Sequence, residues 1–170
     1  MFITETARNN PLVSIVDDDP SVRISTVRLV RSFGFRAEAF SSAREFLTQG
    51  HPATTACLLL DVCMPEIDGL RLQRHLSDTQ HHIPIVFITA NADTAEEIRA
   101  THAGAVDFLF KPISADILAN AIQTALRLHF MARQESQFPT EQSNVTRPSR
   151  AGPMIHRPAR TPDGKRKTML

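Results

Sequence analysis

Several features that would assign this chain to other protein classes are missing from its sequence. It has no Trp, no Tyr and only two cysteines in 170 residues, and the cysteines are too few and too close together for a disulfide framework. No stretch approaches the roughly 18 apolar residues that a membrane helix requires. The first ten residues lack a basic region followed by an apolar run, so they do not read as a secretory signal. We therefore expect a soluble, cytoplasmic protein with no membrane contact.

Charge is unevenly distributed along the chain, although the net charge is only +1. Residues 133–170 contain eight Lys/Arg and three Asp/Glu, whereas residues 1–132 contain 11 and 15. The C-terminal segment is also rich in Pro, Ser and Thr, and it has too few apolar residues to offset the entropy of ordering. We predict an N-terminal arm at residues 1–10, a folded domain at residues 11–132 and a disordered basic tail at residues 133–170.

The predicted domain alternates short apolar runs with helical patterns. Strands are predicted at residues 12–16, 35–40, 57–60, 84–88 and 106–110. A helix follows each strand, and the last of these helices extends from Ser114 to about Phe130. Asp19 before Pro20 and the pair Ser42 and Glu45 are typical of helix starts. Five strands alternating with five helices favour an α/β fold, with a doubly wound parallel sheet covered on both faces.

Polar residues follow four of the predicted strands, at the point where each strand ends. They are Asp17 and Asp18, Asp61, Thr89 and Lys111. The carboxyl ends of parallel strands share one edge of an open sheet, and binding sites form along that edge. We therefore expect these side chains to meet in one pocket.

A pocket with three carboxylates needs compensation for their mutual repulsion. Each pair costs on the order of 4 kcal/mol at about 4 Å and an effective dielectric constant near ~20. Either one carboxyl is protonated or a cation binds, and a hard divalent cation such as Mg²⁺ prefers oxygen ligands. Together with Lys111 and the Thr89 hydroxyl, the acids would form a cradle for a phosphoryl group. Asp61 would then be a carboxylate nucleophile that forms an aspartyl phosphate.

Four segments, in this order and at these spacings, resemble the receiver domains of bacterial response regulators, nearest to the FixJ type. They read IVDDDPSVR, LLLDVCMPEIDGL, PIVFITA and AGAVDFLFKP, and the resemblance covers residues 11–131. It implies a flavodoxin-like sheet of strand order 2-1-3-4-5. FixJ-type receivers usually precede a helix-turn-helix DNA-binding domain, but the last 38 residues here lack helical periodicity and do not predict one.

The resemblance implies a metal-dependent phosphoacceptor. Asp61 would accept the phosphoryl group, and it would bind Mg²⁺ together with Asp18 and the backbone carbonyl of Cys63. Asp17 would act on the metal mainly through bound water. The Lys111–Pro112 peptide bond would be cis, an isomer that is essentially confined to proline.

Further roles are implied around the phosphoryl group. Thr89 and Lys111 would stabilise it, and Thr89 with Phe108 would act as the conformational switch, although Phe108 could also be an ordinary core residue. The side chains of Cys63 and Asn91 would tune the phosphate lifetime. Many receivers carry a longer polar side chain at the position of Cys63, which leaves the rate of phosphate loss open.

The function implied is signal transduction in a phosphorelay, without enzymatic turnover beyond self-catalysed phosphoryl transfer and dephosphorylation. A histidine kinase or a phosphotransfer protein would donate the phosphoryl group. The added charge would then change the face built from the fourth predicted helix (residues 92–103), the fifth strand and the fifth helix. That face would contact an output protein, whose identity is unknown, or form a homodimer.

Three alternatives remain open. The basic tail, which ends in Lys165-Arg166-Lys167, could bind nucleic acid, but no aromatic residue follows Phe138 to stack on bases. A stand-alone receiver could serve as a phosphate sink. An aspartate-nucleophile phosphatase would carry DxDxT at its first strand, where this chain has DDDPS.

Overall fold

The structure is a computed structural model that describes residues 10–90 and 104–137, the last three of these for the backbone only. Three predictions fall outside the described residues. They concern the N-terminal arm up to residue 9, the helix at residues 92–103 together with Asn91, and the tail beyond residue 137. Within the described ranges, no helix is both long enough and apolar enough to cross a membrane.

Five parallel strands form one sheet. They are β1 (Leu12–Val16), β2 (Arg36–Phe40), β3 (Thr55–Asp61), β4 (Ile85–Thr89) and β5 (Asp107–Phe110). The order across the sheet is β2-β1-β3-β4-β5, which confirms the predicted topology. The described helices are α1 (Pro20–Ser32), α2 (Ala43–Gln49), α3 (Gly69–Asp78), a final helix (Ala115–Gln137) and a short 3₁₀ turn (Pro52–Thr54).

Local sequence signals explain where the first helices begin and end. The Asp19 carboxylate caps α1 and accepts hydrogen bonds from the N–H groups of Ser21 and Val22 at 2.7 and 3.1 Å. Gly34 follows α1 with a φ of +88°, a conformation that glycine adopts without steric cost. The Ser42 hydroxyl caps α2 by accepting from the Glu45 N–H at 3.1 Å. These caps were predicted from the sequence, and they satisfy backbone N–H groups in the first turn of each helix.

The final helix is longer than its apolar pattern predicted. It was expected to end near Phe130, but it continues to Gln137 and so includes the first five residues of the predicted tail. Residues 131–137 contain neither glycine nor proline, and most of them have good helix propensity. Met131 to Gln134 are all exposed. The helix therefore extends beyond its buried apolar stripe, on which the prediction relied.

Each face of the sheet carries its own hydrophobic layer, because successive side chains of a strand point to opposite faces. Cys57 and Leu59 of β3 pack in the layer that contains residues of α1 and the final helix. Leu58 and Leu60 pack in the layer that contains residues of α2 and α3. All seven residues of β3 are buried, as expected for a central strand covered on both sides. The polar residues of β3, Thr55 and Asp61, thus lie at its two ends.

Candidate functional site

The ends of β1 and β3 bring three acidic side chains together. β1 and β3 are neighbours, and Val16 pairs with Leu60, so Asp17 and Asp61 come next to each other at the carboxyl edge of the sheet. Carboxylate oxygens of Asp17, Asp18 and Asp61 lie within 4.8 Å of one another. Asp17 and Asp61 are only 2% and 6% exposed, whereas Asp18 faces solvent. The predicted acidic cluster is therefore present.

Lys111, which follows β5, reaches across the sheet edge into this cluster. Its Nζ donates to Asp17 Oδ2 at 2.9 Å and to Asp61 Oδ2 at 2.7 Å. Its backbone N–H donates to the carbonyl of Thr89 at 2.9 Å, and the Lys111–Pro112 peptide bond is cis. One ammonium thus bridges the ends of β1 and β3 from the far side of β4.

The two buried carboxylates are held at both oxygens, unlike the exposed one. Asp61 Oδ1 accepts a hydrogen bond from the Cys63 N–H at 3.0 Å, and Asp17 Oδ1 accepts one from the Asp19 N–H at 2.9 Å. With Lys111 on each Oδ2, neither carboxylate can rotate without breaking a bond. Among the described residues, none donates a hydrogen bond to the Asp18 carboxylate, so that group is the most available for a new ligand.

The electrostatics of the site leave an excess of negative charge. Burial raises the pKa of Asp61, while the hydrogen bonds from Lys111 and from the Cys63 N–H oppose this shift without cancelling it. Burial acts to lower the pKa of Lys111, but the hydrogen bonds and charges of Asp61 and Asp17 outweigh it, and the pKa is raised. The ammonium therefore stays charged at neutral pH. Facing three acids, it compensates only part of their charge.

The donor set fits a hard divalent cation. Three carboxylates converge at one point, and oxygen ligands of this kind suit Mg²⁺. Asp18 could bind such an ion directly because its oxygens have no competing partner among the described residues. The oxygens of Asp17 and Asp61 already accept hydrogen bonds, but each carboxylate keeps lone pairs for a further contact.

Of the two predicted switch residues, Thr89 lies on the strand beside Asp61, and Phe108 lies one strand further out, on β5. Thr89 is the last residue of β4 and is fully buried; the residue before it, Ile88, pairs with Asp61. The Phe108 ring is partly buried and stacks on Phe87, with 5.3 Å between ring centroids and an interplanar angle of 20°. In this structure Phe108 packs in the same hydrophobic layer as α2 and α3. Its predicted role as a switch residue, which requires the ring to move, stays a prediction.

Two residues close to the site were not predicted from the sequence. Arg23 in α1 donates from Nη1 to the backbone carbonyls of Asp17 at 2.8 Å and Asp18 at 3.3 Å. Gly69, the first residue of α3, lies so close to β3 that a Cβ atom there would be 2.4 Å from the Asp61 carbonyl oxygen. Helical side chains point towards the helix N terminus, which directs Arg23 back over the segment before α1, but the sequence does not identify its acceptors there. The contact of Gly69 depends on tertiary packing.

Comparison with known proteins indicates one family. The sequence profile of the response regulator receiver domain matches residues 13–123. The chain is similar to the response regulator protein TmoT of Ectopseudomonas mendocina, with 44% identity over 117 residues, which are 69% of this chain and 53% of that protein. The chain thus spans about half the length of the curated relatives it matches.

Solved structures give the same result. The response regulator StyR superposes with a TM-score of 0.70 and 43% identity, over 75% of this chain and 65% of StyR. The structure of FixJ-N gives a TM-score of 0.63 and 34% identity, over 70% of this chain and 95% of FixJ-N. Both the fold and the FixJ-type resemblance are therefore confirmed.

Proposed function

The chain belongs to the response regulator receiver family of two-component signalling, and on that basis we propose that Asp61 accepts a phosphoryl group from a histidine kinase or a phosphotransfer protein. The contact that carries the proposal is the Lys111 ammonium bridging Asp61 and Asp17 at 2.7 and 2.9 Å. It places a fixed positive charge beside a buried carboxylate that is held in one orientation. Such an arrangement suits a nucleophile whose product gains negative charge.

The proposed step is transfer of the phosphoryl group from a histidine nitrogen of the donor to a carboxylate oxygen of Asp61. An Asp61 oxygen attacks the phosphorus, the bond from phosphorus to the donor's imidazole nitrogen breaks, and the imidazole keeps that electron pair. Lys111 then donates to an oxygen of the transferred group, and the Thr89 hydroxyl donates to another. Positioning and charge compensation account for most of the catalysis in reactions of this class.

We assign the metal site to the same acids. Asp18, Asp61 and the backbone carbonyl of Cys63 would hold Mg²⁺, with Asp17 acting through water. The ion would supply positive charge for the phosphoryl oxygens. The side chains of Cys63 and Asn91 would control how fast water removes the phosphate.

Phosphorylation adds about two negative charges, and we propose that Thr89 and Phe108 respond to them. The response would reach β5 and the final helix, where Phe110 and Ile117 are 41% and 54% exposed. These exposed apolar side chains support an output role for this face, towards a partner protein or a second copy of the chain. The partner's identity does not follow from the geometry.

Intact mass measured after incubation with acetyl phosphate and Mg²⁺ tests the proposal. We expect the wild-type protein to gain one phosphate and Asp61→Asn to gain none. Asp107→Asn is a matched control, because Asp107 is exposed and begins β5, at the opposite end of the strand from the acids. The proposal is wrong if Asp61→Asn is phosphorylated like the wild type, or if the wild type stays unmodified.

A further inference from the structure

Two cations approach the acidic cluster in different ways. The Lys111 ammonium binds the side-chain oxygens of Asp17 and Asp61. The Arg23 guanidinium binds the main-chain carbonyl oxygens of Asp17 and Asp18 instead, at 2.8 and 3.3 Å. Arg23 therefore adds positive charge close to the acids while leaving their carboxylate oxygens available.

The position of Arg23 follows from how α1 begins. Asp19 caps the helix, and the Arg23 N–H donates to the Asp19 carbonyl at 2.9 Å in the first turn. Since helical side chains point towards the N terminus, the guanidinium returns over the segment that connects β1 to α1. The planar guanidinium offers its N–H groups in a fixed geometry, and its Nη1 is shared between two successive carbonyls.

Anchoring these carbonyls has a consequence for the carboxylates. Fixing the carbonyls of Asp17 and Asp18 fixes the peptide planes on either side of the Asp18 α-carbon. Asp18 has no side-chain partner among the described residues, so the direction of its Cα–Cβ bond, which the backbone sets, limits the positions that its carboxylate can reach. Asp17 is also held through its own side chain and depends less on this contact.

We propose that Arg23 is a positioning residue for the divalent cation. It acts through the main chain of Asp18, and less through that of Asp17, to keep the acids converging on one point. The inference rests on the Mg²⁺ site proposed above and extends it to a residue that touches neither the metal nor the phosphoryl group. Residues that orient metal ligands in this way typically change metal affinity by about 10- to 100-fold when they are removed.

Calorimetric titration of the full chain with Mg²⁺ tests the role of Arg23. We expect Arg23→Gln to bind Mg²⁺ about tenfold more weakly than the wild type, and Arg23→Lys to recover part of the loss, because an ammonium can still donate to one carbonyl. Arg28→Gln is the matched control. Arg28 lies on the same helix, is exposed and makes no hydrogen bond or ion pair with the described residues. Arg28→Gln therefore removes the same positive charge as Arg23→Gln without removing such a contact.

Thermal denaturation with and without Mg²⁺ separates positioning from simple destabilisation. At a given concentration, a ligand that binds the native state raises the melting temperature more when it binds more tightly. If Arg23 only stabilises the fold, Arg23→Gln melts lower but keeps the full Mg²⁺-induced increase; if it positions the acids, that increase shrinks. Equal affinity in Arg23→Gln and wild type, or equal weakening in Arg28→Gln, would overturn the inference and leave the proposed function standing. Absence of Mg²⁺ binding to the wild type would instead contradict the metal site itself.

Discussion

The interior of β3 and its carboxyl end differ in kind, although they are parts of one strand. From Ala56 to Leu60 every side chain is apolar and buried. The next residue, Asp61, is almost as buried but carries a carboxylate with an ammonium at 2.7 Å. Burial therefore serves two purposes within a few ångströms. In the interior it stabilises the sheet, and at the end it strengthens electrostatic interactions and raises the pKa of Asp61.

The largest effect that would test this contrast is a cavity in the strand interior. Leu59 is fully buried, and Leu59→Ala should lower the free energy of unfolding by about 2–5 kcal/mol through lost burial and the cavity left behind. Urea denaturation followed by far-UV circular dichroism measures this. Leu128→Ala makes the same chemical change at a side chain that is 47% exposed, and it should cost about 0.5 kcal/mol or less. Similar losses for both variants would contradict the assigned packing.

An intermediate effect is expected at Gly69, the first residue of α3, which packs closely against the carboxyl end of β3. A Cβ atom there would be 2.4 Å from the Asp61 carbonyl oxygen and 3.2 Å from Val62 Cα, so α3 and the end of β3 must move apart in Gly69→Ala. We expect a loss of about 1–3 kcal/mol in unfolding free energy. Phosphorylation by acetyl phosphate should also slow, because the displaced backbone carries the acceptor. A variant that is stable but phosphorylates at the wild-type rate would show that the carboxylate position tolerates this shift.

The smallest expected effect is a difference in chemical labelling between the two cysteines. One of them lies in the interior of β3 and the other lies just beyond its carboxyl end. Burial raises the pKa of Cys57 in β3 to about 12, whereas Cys63 in the following loop is exposed. Only the thiolate reacts readily, so a maleimide at pH 8 should label the native protein once, at Cys63, and label the urea-unfolded protein twice. Peptide mass spectrometry locates the label. Fast labelling of Cys57 in the native state would show that β3 opens readily.

Much of the site could be predicted because its chemistry depends on strand ends. Apolar runs located β1, β3 and β5, and the parallel topology then required Asp17, Asp61 and Lys111 to meet at one edge. The carboxyl oxygens and the ammonium are found together there. Identifying these residues needed only the order of the strands, without knowledge of the packing between them.

Other features could not be predicted by the same reasoning. The bonds of Arg23 go to backbone carbonyls, which every residue possesses, so no sequence pattern marks the partner. The contact of Gly69 with β3 is a matter of distance between two elements. The end of the final helix was misjudged because Met131 to Gln134 are exposed, and the prediction followed the buried stripe rather than helix propensity.

The bridge made by Lys111 has a mechanical consequence. Its ammonium is anchored to strands at the centre of the sheet, while its backbone continues directly from the edge strand β5. An extra anion on Asp61 would compete for that ammonium and change the hydrogen bonds that tie the end of β5 to the ends of β1 and β3. The Lys111 side chain would thus connect the charge on Asp61 directly to the edge strand β5, across the end of β4.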